Sequence, residues 1–152
     1  MAATKVRWKK GRGKLGVLAP LLGTWKAQAN LPGGYGTVRC TRTFTPVLKG
    51  ACIQLTAQWE FAKGAYEEIA LFGFHDGTIS FWSFTSDGKR SQGTITDGRD
   101  VHAEAIAFEA QMPAGLARMI YWPGENGGVN WEVESKTKKG WNRFTEHHYA
   151  RS

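Results

Sequence analysis

Ala51-Cys52-Ile53-Gln54-Leu55-Thr56-Ala57-Gln58-Trp59-Glu60-Phe61 alternates without a break. Ala51, Ile53, Leu55, Ala57, Trp59 and Phe61 share one face, and Cys52, Gln54, Thr56, Gln58 and Glu60 share the other. A period of two marks a strand with one packed face and one wet face. The rhythm continues on both sides. Upstream, across a turn at 46–50, residues 36–45 set Val38, Cys40, Arg42 and Phe44 against five threonine and arginine positions. Before them a strand is expected at 24–30, closed by Leu31-Pro32-Gly33-Gly34. Its apolar lead-in, 15–22, contains Pro20 and reads as one short helical turn.

Downstream, strands are expected at 66–74, 78–86, 89–96, 102–111, 116–122, 129–137 and 141–149. Asp76-Gly77 and Asp87-Gly88 are hairpin signals, and Asp97-Gly98 reads as a third turn. Ten short strands on short turns, with no helix-period segment between them, point to an all-β, single antiparallel up-and-down barrel. Closure removes the free edge that so long a sheet would otherwise expose.

The chain has 152 residues, enough for one domain, with 19 Gly and 7 Trp. The net charge of +7 is concentrated at one end. Lys5, Arg7, Lys9, Lys10, Arg12 and Lys14 stand before any acid, and removing those six leaves +1. Residues 1–14 therefore read as a basic, flexible, solvated tail, and 15–152 as the barrel domain. No nucleic-acid module follows the tail, so nucleic acid is not expected as a partner. No apolar run reaches the roughly 20 residues that cross a bilayer. The basic N-terminus lacks the apolar core of a secretory signal, which suggests the cytoplasm. Cys40 and Cys52 are expected to be reduced, and a bridge between neighbouring strands is the alternative.

A barrel lumen that holds a ligand needs apolar walls and a few fixed polar groups. Trp59, Phe72, Phe81, Trp131 and Tyr149 are candidate walls. Arg118 is the leading polar candidate, because it alternates with Leu116, Ile120 and Trp122 and so shares an apolar face. A buried arginine needs a partner. That partner is either the acidic group of a bound ligand or a neighbouring carboxylate, Glu109 or Glu132. Arg42 and Arg143 raise the same question. His147 and His148 are adjacent on a strand, so one of them faces inward. No nucleophile, metal or dinucleotide signature is present, so no catalytic residue and no cofactor is assigned.

Several segments carry a resemblance. Leu22-Gly23-Thr24-Trp25 is similar to the Gly-x-Trp opening of the calycin barrels, the lipocalins and fatty-acid-binding proteins. Leu48-Lys49-Gly50-Ala51, Phe72-Gly73-Phe74-His75-Asp76 and Phe81-Trp82-Ser83-Phe84 resemble turns and an aromatic strand of bacterial lipocalin-like proteins of unknown function. The resemblance implies that Trp25 packs across the closed end, with Arg143 or Arg151 over its ring. It implies a small hydrophobic, lipid-like ligand, and Arg143 with Tyr149 looks like the pair that fatty-acid-binding proteins set on a lipid carboxylate. A second resemblance, to ten-stranded haem-binding barrels similar to nitrobindin, implies an axial role for a late histidine, His147 or His148. A lipid-modifying barrel, or a ligand-free barrel that forms a homodimer, completes the alternatives.

Overall fold

The computed structural model describes residues 8–34 and 36–152. Ten strands follow one another: β1 (Gly23–Asn30), β2 (Thr37–Val47), β3 (Cys52–Phe61), β4 (Gly64–His75), β5 (Thr78–Thr85), β6 (Arg90–Thr96), β7 (Ile106–Met112), β8 (Gly115–Pro123), β9 (Val129–Thr137) and β10 (Gly140–Arg151). Each pairs antiparallel with its sequence neighbours. β10 returns to β1 through Trp25↔Arg151 and Lys26↔Ala150, which closes the barrel. The fold is the all-β up-and-down barrel that the alternation predicts. The lead-in is a 3-10 turn at Gly16–Leu21 with Pro20 inside it.

Local chemistry explains most boundaries. Asp76 and Gly77 both adopt positive φ, 50° and 79°, the tight hairpin turn whose twist matches that of the flanking strands. Two expected boundaries move. Pro46 does not turn the chain: it stays in β2, paired with Ile53, one residue before the strand ends. The turn falls at Leu48–Gly50 instead, where all three residues have positive φ. Asp97-Gly98 does not make a tight turn either. It opens a strap of residues 97–105 that leaves the sheet, so β7 starts at Ile106 rather than at residue 102. The strap lies on the outer wall. A Cβ placed on Gly98 would sit 2.9 Å from that of Ala107 and 3.4 Å from Ile120 Cγ2.

The lumen has two zones. At one end Leu18, Leu21, Trp25, Phe44, Ile53, Phe72, Phe81 and Phe108 form a dry apolar floor. Its rings meet at 5.0 Å (Phe72–Phe108) and 5.7 Å (Phe81–Phe108), tilted or edge-on as their quadrupoles favour. Trp25 seals this end. Its indole Nε1 donates to the Leu21 carbonyl at 2.8 Å, and the Arg151 guanidinium lies 4.1 Å from its ring centroid. Arg151 also donates to the Leu22 carbonyl at 3.1 Å. Arg151, not Arg143, is thus the cation over Trp25. Gly23 is required beside it: its φ is +118°, and a Cβ there would lie 2.5 Å from Arg151 Nη1.

Toward the other end the inward positions mix small residues with large ones such as Trp59, Tyr66 and Met119. Ala27, Ala29, Ala57, Ala70, Ala110 and Ala117 share the inward parity of Trp25, Leu55, Phe72, Phe108 and Tyr121. Ala27, Ala29 and Ala117 are half-buried, as are Trp59 and Tyr66, whose rings meet at 5.2 Å. Residues 1–7 of the expected tail lie outside the described residues. Residues 8–14 run against the closed end. The Trp8 amide donates to Glu104 Oε1 at 3.0 Å, and the Lys14 ammonium sits 4.7 Å from the Phe74 ring centroid. Cys40 and Cys52 are both free thiols. Among the described residues, no helix is long and apolar enough to cross a membrane.

Candidate ligand site in the lumen

The alternation of β2 puts a cation inside the barrel. Val38, Cys40, Arg42 and Phe44 all face inward and all are buried. Arg42 is 1% exposed, one of the largest fully buried side chains. Its guanidinium crosses the lumen toward β8 and β9. Nη2 donates to the Tyr121 hydroxyl at 2.6 Å, and the Trp131, Tyr121 and Trp59 ring centroids lie 4.6, 5.6 and 5.8 Å away. Aromatic faces accommodate a guanidinium, but they do not replace hydrogen bonds. Among the described residues, Arg42 Nε and Nη1 and Trp131 Nε1 have no acceptor at hydrogen-bond distance; the Tyr149 hydroxyl interacts with Arg42, and the Tyr121 hydroxyl with Trp131, at longer range. Each buried donor left unpaired costs about 1–3 kcal/mol.

The groups around this cation are held neutral. Burial pushes the Tyr121 hydroxyl up to about 12, against the lowering pull of Arg42, and it raises Tyr149 as well. Burial raises the Cys40 thiol to about 11, so it remains a thiol near neutrality. Burial, helped by the Arg42 charge, lowers His147 to about 4. Its imidazole is therefore uncharged at pH 7, with Nδ1 3.1 Å from the Tyr149 hydroxyl and its ring 5.0 Å from that of Trp131. Burial works against the charge of Arg42 itself, and the field of Glu68 and the hydrogen bond to Tyr121 favour it. Glu68, on the inward face of β4, takes a hydrogen bond from the buried Ser83 hydroxyl of β5.

The sequence candidates separate into three groups. Trp131, Tyr149, His147 and Trp59 converge on Arg42. Phe72 and Phe81 belong to the apolar floor below it. Arg118 and Arg143 do not reach the lumen at all. Arg118 does share a face with Leu116, Ile120 and Trp122, but that face is the outer wall, and the 97–105 strap buries it. Asp100 takes two hydrogen bonds at 2.8 Å, and Glu134 takes Nε at 3.0 Å and Nη2 at 2.6 Å. The partners are thus Asp100 and Glu134, not Glu109 or Glu132. Trp141 stacks 4.5 Å away.

Arg143 also points outward, to Glu132 and to Glu146 at 3.1 Å. The β10 register shifts between Arg143 and Thr145: Arg143 pairs with Glu134, whereas Thr145 pairs with Val133. The bulge reverses the phase, so Arg143 and Tyr149 lie on opposite faces and cannot act as one pair. Of the two histidines, His147 is inside and His148 outside, where it contacts Asn130 at 2.6 Å.

Arg42 was readable from the same pattern that singled out Arg118, since it alternates with Val38, Cys40 and Phe44. Glu68 was obscured by Glu67 beside it; parity with Ala70 and Phe72 is its only signal. No group of three or more His, Cys, Asp or Glu among the described residues is arranged to hold a metal ion. Comparison with protein-family models and with curated proteins yields no match.

Proposed function

We propose that the barrel binds a small, largely apolar molecule through an acidic group that meets Arg42. One observation carries this reading: a fully buried guanidinium has two nitrogens, Nε and Nη1, without an acceptor at hydrogen-bond distance, and the Tyr149 hydroxyl interacts with it only at longer range. A carboxylate offers two oxygens in the geometry a guanidinium fork matches. Around Arg42, Trp59, Tyr121 and Trp131 offer apolar walls. The calycin resemblance, and the Trp25–Arg151 seal at one end, support a barrel entered from the other end.

Native mass spectrometry after gentle purification is the first test, with a bound small acid expected as added mass. Displacement of dansylaminoundecanoic acid is the second. Capric acid is expected to compete, and decanol to compete at least about tenfold less well, the equivalent of one charge-assisted hydrogen bond. Equal competition by acid and alcohol would refute the role of Arg42.

Two further readings each rest on one observation. His147 faces the lumen as a neutral imidazole, which is what a haem-binding or lipid-modifying barrel would use. A Soret shift on adding haemin supports it, and an unchanged spectrum removes it. For a homodimer, Ile69 and Phe84 pair directly on the outer wall and are 52% and 55% exposed. Glu67 on β4 and Arg90, opposite Phe84, flank them with opposite charge, so two copies related by a two-fold axis would match acid to base. Sedimentation of Ile69→Lys beside the native protein checks this: the native chain sediments as a dimer and the variant as a monomer.

A further inference from the structure

Glu68 lies in the same lateral row as Arg42. Ala57 pairs with Arg42 on one side and with Glu68 on the other, and all three face the lumen. The two backbones are therefore two strand spacings apart, about 10 Å. An arginine and a glutamate so placed could turn toward each other over a single methyl group. They do not. Arg42 reaches across to Tyr121 on β8, and Glu68 turns to Ser83 on β5. The lumen thus presents a cation and an anion, each aimed away from the other and each with hydrogen-bonding capacity left over. Arg42 keeps two nitrogens, Nε and Nη1, without an acceptor at hydrogen-bond distance, and Ser83 occupies only Oε2 of Glu68, leaving Oε1 to accept.

A simple monoacid satisfies half of this arrangement. It would neutralise Arg42 and leave the half-buried Glu68 carboxylate as the net charge of the lumen. A second acid on the ligand would face Glu68 directly, and like charges at close range repel strongly there. We infer that the ligand is amphoteric: it carries a carboxylate for Arg42 and, some distance along an apolar body, an ammonium group for Glu68 and Ser83. This inference rests on the lumen reading above and specifies its substrate class. Glu68 then selects between acids, and Arg42 anchors all of them.

The test compares three straight-chain probes of equal length, ω-aminocaprylic acid, caprylic acid and suberic acid, as competitors of dansylaminoundecanoic acid at pH 7. On the native protein the amino acid is expected to bind at least about tenfold tighter than the monoacid, and the diacid weakest. Glu68→Gln is expected to bring all three within about twofold of one another. Ser83→Ala, which keeps the carboxylate, is expected to lower the preference only in part. Equal binding of ω-aminocaprylic and caprylic acids to the native chain overturns this inference and leaves the acid-binding lumen intact. Failure of every acid, the dansyl probe included, overturns both. The native comparison needs no variant, so it holds even if Glu68→Gln does not fold.

Discussion

Two arginines among the described residues are buried, and they live in opposite circumstances. Arg118, 4% exposed on the outer wall, donates to Asp100, Glu134 and the Asp97 carbonyl. Arg42, 1% exposed in the lumen, donates from Nη2 to a phenol at 2.6 Å and to Met119 Sδ at 4.0 Å, and leaves Nε and Nη1 without an acceptor at hydrogen-bond distance. The first is a rivet holding the 97–105 strap against β8 and β9. The second is a charge that the fold tolerates without satisfying. A buried cation whose hydrogen bonds are complete belongs to stability, and one whose hydrogen bonds are incomplete points to something that arrives later.

The contrast can be broken most sharply at Arg118. Arg118→Leu leaves the buried Glu134 carboxylate without its partner and frees the strap, so a loss of about 3 kcal/mol is expected in urea denaturation. Because the fork already has its acceptors, the same substitution leaves acid binding unchanged. A stable variant that lost binding would reverse the roles assigned to the two residues.

The histidines give the same contrast by pH. His147 has its pKa lowered in the fold to about 4 from an ordinary 6.5. The unfolded chain therefore takes up a proton between those values while the folded one does not, and stability falls as pH drops from about 6.5 toward 4. The loss is on the order of 2 kcal/mol. His147→Gln is expected to flatten this slope, and His148→Gln, on the wet face, to leave it in place. Thermal melts across that range check both.

A smaller effect is expected at the sealed end. Arg151→Ala removes the cation over Trp25 and one hydrogen bond to Leu22, for a cost of about 1 kcal/mol. Quenched or shifted indole fluorescence would accompany it.

Much of this was legible in the residues, and the losses have particular causes. Alternation and the Asp-Gly turns reveal ten strands because a sheet with one packed face writes its period directly into the chain. Alternation also identifies Arg118 as sharing an apolar face. It cannot say which side of the sheet that face is on, because the strap makes part of the outer wall as dry as the lumen. That covering depends on residues 97–105, whose opening Asp-Gly looks like an ordinary turn. Arg143 fails for a different reason. One extra residue at Phe144 reverses the phase of β10, and a bulge leaves no mark in composition. Arg42 needs no correction of phase, since β2 runs unbroken from Val38 to Phe44.

Thermal stability of the native protein and of Arg42→Met, each with and without capric acid, bears most directly on the unsatisfied lumen cation. Without ligand, the variant is expected to be as stable as the native chain or about 1 kcal/mol more stable, because methionine fills similar volume without buried, unpaired donors. Capric acid is expected to raise the native melting temperature and leave that of the variant unmoved. Equal stabilisation of both proteins by the acid, or a variant several kcal/mol less stable without it, would mean that Arg42 is one more structural rivet.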